Sequence, residues 1–527
     1  MSAARDKLKE IFGYEAFRPG QEEAVEATLR GRDVLAVMPT GAGKSVCYQI
    51  PALLLEGITL VVSPLISLMR DQVSALSQNG VSAAYLNSSL TPRQHELALR
   101  NAREGRYRII YVAPERLTSQ AFLDFALSVS IAQVVVDEAH CVSQWGQDFR
   151  PGYLNIEPFI ARLSPRPPVS AFTATATQAV RRDIMHLLGL RAPHEVSTGF
   201  DRPNLYFEVR RPQDRDAELV RYLREREGQS GVVYCGTRKG VEQVTRLLTE
   251  NGVNAVGYHA GMDDAQRRQA QEDFVSDRVP VIVATNAFGM GIDKSNVSFV
   301  VHYNMPKDLE SYYQEAGRAG RDGEDAACCL LYKPADVRLN SFLIEHGQEE
   351  SQLDEATRAV VTQRAKERLK QMTFYATGAG CLRARILTYF GETAAQENCG
   401  NCSFCLGLSD AKAKDAQAAE TARSSHRMSR APQKRARERA REGVRPAVNA
   451  KLFARLSALR REIAQEQRVP PFIIFTNATL RDMAIKRPRT YGEMLRVEGV
   501  GKNKLARYGD AFLEEIERYE KGLGASR

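Results

Sequence analysis

The chain has 527 residues, 43% of them hydrophobic and 26% charged, with a net charge of +9. That length suggests roughly three or four domains, and the apolar content is ample for packed cores. No apolar run reaches the ~18 residues of a membrane span, and Met1 to Glu10 lacks the apolar core of a signal peptide, so no membrane partner is expected. The charge is uneven. Residues 408–446 carry 3 Lys and 8 Arg against 5 acids, and 447–527 carry 16 Lys and Arg against 10, which leaves the first 407 residues slightly acidic. Clustered cations gain affinity for a polyanion by releasing its condensed counterions, so the C-terminal part is expected to meet one; solubility alone is the plainer account of a basic tail. Nine cysteines in a chain without an export signal suggest a reducing compartment, where they serve as thiols or metal ligands.

In chain order, Tyr14, Arg18 and Gln21 come first. An aromatic face suits a purine ring, an amide pairs with its edge, and a guanidinium stacks or reaches phosphate; core packing is the simpler reading of the spacing alone. Val34–Val37 then reads as a buried strand, and Thr40-Gly41-Ala42-Gly43-Lys44-Ser45 as a glycine turn opening a helix. Such a turn points successive backbone N–H groups into one concavity, and the helix N-terminus completes an anion site. Thr40, Gly41 and Gly43 would line it, Lys44 would reach the β- and γ-phosphates, and the Ser45 hydroxyl would bind Mg²⁺. The full P-loop pattern asks for glycine where Met38 stands, so this is a relaxed form, and a ligand-free glycine turn is the alternative.

Strand-like runs at Thr59–Ser63, Arg108–Val112, Ile131–Val136 and Val169–Phe172 alternate with helical stretches at Leu65–Asn79, Arg93–Arg103 and Thr177–Leu188. This is the pattern of a parallel sheet covered by helices, with ligands expected at the carboxyl ends of strands. One strand delivers Asp137 and Glu138, followed by Ala139 and His140. Asp137 fits a Mg²⁺ contact and Glu138 fits the group that orients and deprotonates an attacking water; a surface acidic pair is the bland alternative.

Thr40–Ser45 and Asp137–His140 resemble motifs I and II of superfamily 2 helicases. The stretch that follows, Cys141 to Arg150, resembles the RecQ family in particular. The resemblance implies an aromatic-rich loop that couples DNA to ATP hydrolysis through His140, Trp145, Phe149 and Arg150. Trp145 is the only tryptophan, and base stacking needs only an aromatic face. Phe12 to Gln21 resembles the family's adenine-reading motif, and Phe172–Ala176 its motif III.

Strand–helix alternation restarts after Asp201-Arg202-Pro203-Asn204, with strands expected at Ser230–Cys235, Asn254–Tyr258 and Val279–Ala284. Helices are expected at Val241–Asn251 and Asp264–Phe274, and two such units imply a cleft between them. Arg318 and Arg321 lie in a glycine-broken segment that resembles motif VI. An arginine supplied across a cleft stabilises γ-phosphate charge, and Glu315 and Asp322 read as local partners. Tyr234–Arg238, His259–Gly261 and Ala284–Asp293 resemble the remaining motifs.

Cys381, Cys399, Cys402 and Cys405 have the spacing of a closed tetrahedral Zn²⁺ site, with an iron–sulfur cluster as the alternative. Leu353–Thr377 before them reads as an amphipathic helix. Residues 408–446 read as a basic linker or exposed helix, too short for the winged-helix domain that RecQ helicases commonly place there. The last part returns to helical periodicity, with Thr476 or Asn477 as an N-cap, and resembles the family's HRDC module. Lys502, Lys504 and Arg507 there are candidate phosphate contacts; an ordinary solvated helix face is the alternative.

The expected fold is therefore α/β: two RecA-like parallel-sheet lobes at 1–203 and 204–338, a helical zinc-binding module at 339–407, the linker, and an all-α HRDC-like bundle at 447–527. The resemblance implies an ATP-dependent DNA helicase of 3′→5′ polarity acting in repair and recombination, using ATP, Mg²⁺ and Zn²⁺ on single-stranded and forked DNA. Remodelling or annealing of short DNA structures is the alternative activity. A single-strand-binding protein is a candidate partner. The expected location is the bacterial cytoplasm, at the nucleoid, or a eukaryotic nucleus.

Overall fold

Seven short strands form one parallel sheet in the order β3-β4-β2-β5-β6-β1-β7. They are β1 Val34–Val37, β2 Ile58–Val62, β3 Ala83–Leu86, β4 Ile109–Val112, β5 Ile131–Val136, β6 Val169–Thr173 and β7 His194–Ser197. The central strands β1, β2, β4 and β6 are buried along their whole length, as expected of a sheet covered by helices on both faces. The computed structural model describes residues 1–524 except 65, 147, 289–293, 295, 347–354, 394–397, 409–448 and 468. Nearly all of the basic linker expected at 408–446 thus lies outside the described residues, as do the end of Ala284–Asp293 and the start of the helix expected from residue 353.

The strand order brings the site together. β5, β6 and β1 are neighbours, so the segments leaving their carboxyl ends, Asp137-Glu138, Ala174-Thr175 and the glycine turn, share one edge of the sheet. The helix Lys44–Leu54 starts at Lys44 and has Gly43 at its N-cap. Gly43 has φ +81°, and a Cβ there would come within 2.5 Å of Gln21 Nε2, so only glycine fits.

A second parallel sheet of six strands runs β10-β11-β9-β12-β13-β8. Its members are β8 Leu205–Arg210, β9 Gly231–Tyr234, β10 Ala255–Tyr258, β11 Val281–Ala284, β12 Phe299–His302 and β13 Ala326–Leu331. The helix Leu309–Ala316, capped by the Asp308 carboxylate, leads into the loop that carries Arg318 and Arg321.

The helices Glu355–Thr377 and Leu382–Tyr389 pack beside this second sheet. The cysteine-rich loop closes onto its edge, where Cys402 bridges Phe207 of β8 and Ser403 N donates to the Phe207 carbonyl at 2.9 Å. The C-terminal bundle holds the helices Ala450–Gln467, Pro471–Ile474, Asn477–Lys486, Tyr491–Met494 and Lys502–Gly524. Its core includes Leu456, Ile474, Met483, Phe512 and Ile516, all fully buried. Thr476 caps the third of these helices by accepting from Thr479 N.

A candidate nucleotide site between two lobes

The phosphate cradle is held from behind by the N-terminal segment. Gln21 Nε2 donates to the carbonyls of Ala42 and Gly43 at 3.0 and 3.1 Å, and Arg18 Nη1 donates to Gly41 O at 2.8 Å. The Arg18 guanidinium also lies 6.0 Å from the Tyr14 ring centroid. Arg18 and Gln21 therefore touch the Thr40–Ser45 turn directly, while Tyr14 stands beside Arg18 and packs against the core of the N-terminal helices. Facing these residues across the sheet edge, Asp137 is buried and Glu138 takes a left-handed backbone, with φ 48°. A non-glycine residue in that region costs free energy and recurs at working sites. Asp137 Oδ1 accepts from Glu138 N at 3.0 Å, and Tyr153 Oη donates to the Asp137 carbonyl at 2.8 Å.

Burial pushes the Asp137 carboxyl up to about 7, and the neighbouring Glu138 carboxylate pushes it further the same way. Burial acts on Glu138 too, but Lys44 first, then His140, Arg318 and Arg321, outweigh it and hold that carboxylate below its ordinary value. A lobe-1 acid thus feels two lobe-2 arginines. The backbones agree: a Cβ on Gly41 would lie 3.6 Å from Arg321 Cα, and one on Gly317 would lie 3.6 Å from Thr40 Cβ. The lobes are in contact across the cradle. Lys44, Arg318 and Arg321 thus act on the same place as the Asp137 and Glu138 carboxylates, a mix of cations and acids of the kind that suits a triphosphate with a divalent cation.

From the acids the chain runs to the aromatic loop. His140 Nδ1 lies 2.9 Å from Thr173 Oγ1 at the end of β6, and Thr173 Oγ1 donates to Thr175 O at 3.0 Å. Burial lowers the His140 pKa. Trp145 is 43% exposed, and the Arg364 guanidinium lies 3.3 Å from its ring centroid. Arg368, one turn on, donates to the Trp145 carbonyl at 3.2 Å. Arg150 pairs with Asp148 at 2.9 Å and donates to Pro64 O, while Phe149 is half-buried. Sequence reasoning missed Arg364 and Arg368; nothing in a charged helical stretch links it to a tryptophan some 220 positions earlier.

The four cysteines Cys381, Cys399, Cys402 and Cys405 come together, with sulfurs all within 4.8 Å of one another. Sulfurs ~2.3 Å from a tetrahedral Zn²⁺ stand just under ~4 Å apart, so the cluster fits that ion. Cys381 also caps the helix Leu382–Tyr389 by accepting from Ala384 N. The other five cysteines, Cys47, Cys141, Cys235, Cys328 and Cys329, are buried elsewhere.

Lys502 and Arg507 are exposed but lie where the bundle meets the first lobe. Lys502 Nζ pairs with Glu10 at 3.3 Å and Arg507 Nη1 donates to Gln78 Oε1 at 2.6 Å, so both turn toward the first lobe. Lys504 is half-buried 5.9 Å from the Phe475 ring centroid, and burial pushes its pKa down to about 8. The bundle also reaches the second lobe through an Arg481–Glu324 ion pair. Docking, which the sequence does not announce, is what places these cations.

Four family models match in chain order: DEAD/DEAH box helicase over 18–183, helicase conserved C-terminal domain over 214–323, RecQ zinc-binding over 334–406 and HRDC domain over 449–516. The chain is similar to the ATP-dependent DNA helicase RecQ of Bacillus subtilis, 39% identical over 593 aligned positions covering 98% of this chain and 99% of that one. The Pasteurella multocida protein of the same name is 37% identical, with 99% and 94% covered. Rat ATP-dependent DNA helicase Q5 is 41% identical over 76% of this chain and 43% of its own. Among solved structures, the DEAD-box helicase Mss116 bound to single-stranded RNA and UDP-BeF shares the fold at TM-score 0.53 and 15% identity, covering 73% of this chain and 88% of that one. With two whole-length relatives above a third identical, the chain belongs to the RecQ family of ATP-dependent DNA helicases.

Proposed function

We infer that the protein is an ATP-dependent DNA helicase that moves 3′→5′ along single-stranded DNA and separates forked or partly duplex DNA in repair and recombination. The observation that carries this reading is the meeting of the two lobes at the cradle, where a Cβ on Gly41 would lie 3.6 Å from Arg321 Cα and Arg202 donates to the Thr40 carbonyl at 2.7 Å, beside the acids Asp137 and Glu138. ATP is the substrate. Backbone N–H groups of Gly41 to Ser45 and the Lys44 ammonium bind its phosphates at the helix N-terminus, while Tyr14, Arg18 and Gln21 take the adenine side. Ser45 and Asp137 would hold Mg²⁺, which supplies charge neutralisation across the phosphates. Glu138 orients a water and accepts its proton on a carboxylate oxygen as the new P–O bond forms and the β–γ bridging bond breaks, releasing ADP and phosphate. Arg318 and Arg321 stabilise the charge that develops on the γ-phosphoryl oxygens.

His140 stands between Glu138 and Thr173 and is the first link from the acids toward the loop holding Trp145, Phe149 and Arg150. Trp145 stacks on a base and reports DNA to the acids through this path. Cys381, Cys399, Cys402 and Cys405 would hold Zn²⁺ as a structural ion. Among the described residues no helix is long and apolar enough to cross a membrane. The working partners are DNA and, as a candidate, a single-strand-binding protein, at the nucleoid of a bacterium or in a nucleus.

Lys44→Ala tests the reading. It should abolish DNA-stimulated ATP hydrolysis and unwinding of a forked duplex while leaving the thermal transition in place; unchanged turnover rejects the assignment. In Trp145→Ala, basal hydrolysis should persist while stimulation by single-stranded DNA falls by about tenfold or more, since base–aromatic stacking is worth ~1–3 kcal/mol.

A further inference from the structure

Residues 198–204 between β7 and β8 join the two lobes. This connection is held in place. The Phe200 ring stacks on Phe390 at 4.2 Å and 11°, and Phe200 N donates to Glu392 Oε1 at 2.9 Å. Arg383 donates to Asp201 Oδ1 at 2.6 Å and to the Arg202 carbonyl at 2.7 Å, and Tyr313 Oη donates to the Phe200 carbonyl at 2.7 Å.

With its backbone fixed, the Arg202 side chain spans the cleft. Nη1 donates to the Thr40 carbonyl of the phosphate cradle at 2.7 Å. Nη2 donates to the carbonyls of Gly320 at 2.9 Å and Ala319 at 3.2 Å. Those two residues lie between Arg318 and Arg321. Asn204 Nδ2 holds the same loop by donating to Gly320 O at 3.0 Å and Glu324 O at 2.7 Å. One guanidinium therefore touches the cradle of one lobe and the arginine loop of the other.

Arginine suits that position. Its planar fork donates in two fixed directions at once and stays charged when buried, which a lysine ammonium does not do. Its direct acceptors here are neutral oxygens, so its charge adds to the positive field above the cradle instead of being cancelled by a bonded carboxylate. A packing role alone would need neither the fork nor acceptors on both lobes. We propose that Arg202 is a positioning residue for ATP hydrolysis: bound to Thr40 on one side and to the loop 319–320 on the other, it sets the register of Arg318 and Arg321 against the phosphates. The proposal rests on the cleft being the ATPase site.

The test is steady-state, DNA-stimulated ATP hydrolysis by the full-length zinc-loaded protein, with Lys44→Ala as the reference for the parent reading. Arg202→Ala should lower kcat by about 30-fold while KM for ATP moves less than about threefold, because lost register is felt chiefly in the transition state. Arg202→Lys keeps the charge without the fork and should recover only part of that loss. On an Arg321→Ala background, removing Arg202 should cost less than about threefold more, since both act through one loop. Wild-type kcat in Arg202→Ala, or losses that multiply in the double variant, overturn the proposal. If Arg202→Ala does not fold, Arg202→Lys carries the test, and wild-type kcat there overturns it equally. A dead Lys44→Ala beside a normal Arg202→Ala sinks only the role of Arg202, whereas an active Lys44→Ala sinks the ATPase reading itself.

Discussion

The first lobe is gripped on two sides by different means. At the cleft, the second lobe meets it through guanidinium groups, a lysine and two acids, with Arg202 donating across the gap. At a second seam, the C-terminal bundle meets it with glycine backbone at the centre of the contact. Gly499 N donates to the Gly13 carbonyl at 2.9 Å, and a Cβ on Gly13 would fall 2.4 Å from Val500 N. A Cβ on Gly501 would fall 2.6 Å from the Ile11 carbonyl. One contact is made of side-chain chemistry and depends on charge, so it can answer to nucleotide. The other packs glycine backbone closely and adds only exposed polar contacts around it, Lys502 to Glu10, Asn503 to Asn79 and Arg507 to Gln78; it is sensitive to volume and only weakly to salt.

The contrast can be broken most severely at the cleft. Arg321→Ala should reduce kcat for ATP by ~10³-fold or more, the range seen when such an arginine is removed from other nucleotidases, with the fold intact by circular dichroism. At the metal site, Cys402→Ser should drop bound zinc from about one ion per chain to near zero by metal analysis, because a closed thiolate site loses its geometry with one ligand. Its thermal transition should fall with the metal. At the seam, Gly13→Val combines φ +72° with a backbone clash and should release the bundle, read as a larger radius of gyration in small-angle scattering. At saturating ATP, kcat should change by less than about threefold in that variant, since no group at the phosphates is displaced, while KM for ATP rises because Tyr14 on the adenine side is the next residue. The smallest effect belongs to Lys502→Ala: its pair with Glu10 is solvent-exposed, so docking should weaken by no more than ~0.5 kcal/mol. A large effect there would mean that the seam is electrostatic after all.

How much of this was legible in the sequence follows the same division. Lys44, Asp137, Glu138 and the cysteine quartet stand out because their chemistry is compressed into a few adjacent positions beside apolar runs. The strand pattern is clear where strands are central and continuously apolar, as in β2 and β4. It is weak in β7, whose residues His194, Glu195, Val196 and Ser197 pair on only one side, and in the half-exposed β3. Arg202 sits within a stretch that the sequence marks only as the start of a new unit, because its meaning lies in two carbonyls more than a hundred residues apart. Lys502, Lys504 and Arg507 drew notice as cations, yet which way they face is set by glycines at 13, 499 and 501. Periodicity records which face of a helix is apolar, and a seam built from glycine backbone leaves no such mark.

The closure of the cysteine loop over β8 has a further consequence. β8 is the last strand of its sheet, and the bridge from Phe207 to Cys402 covers a rim of peptide groups that would otherwise be open to another chain. Uncovered rims of this kind recruit strands from neighbouring molecules. Stripping the metal should therefore do more than soften a small module: it should make the protein self-associate, with turbidity that rises with protein concentration.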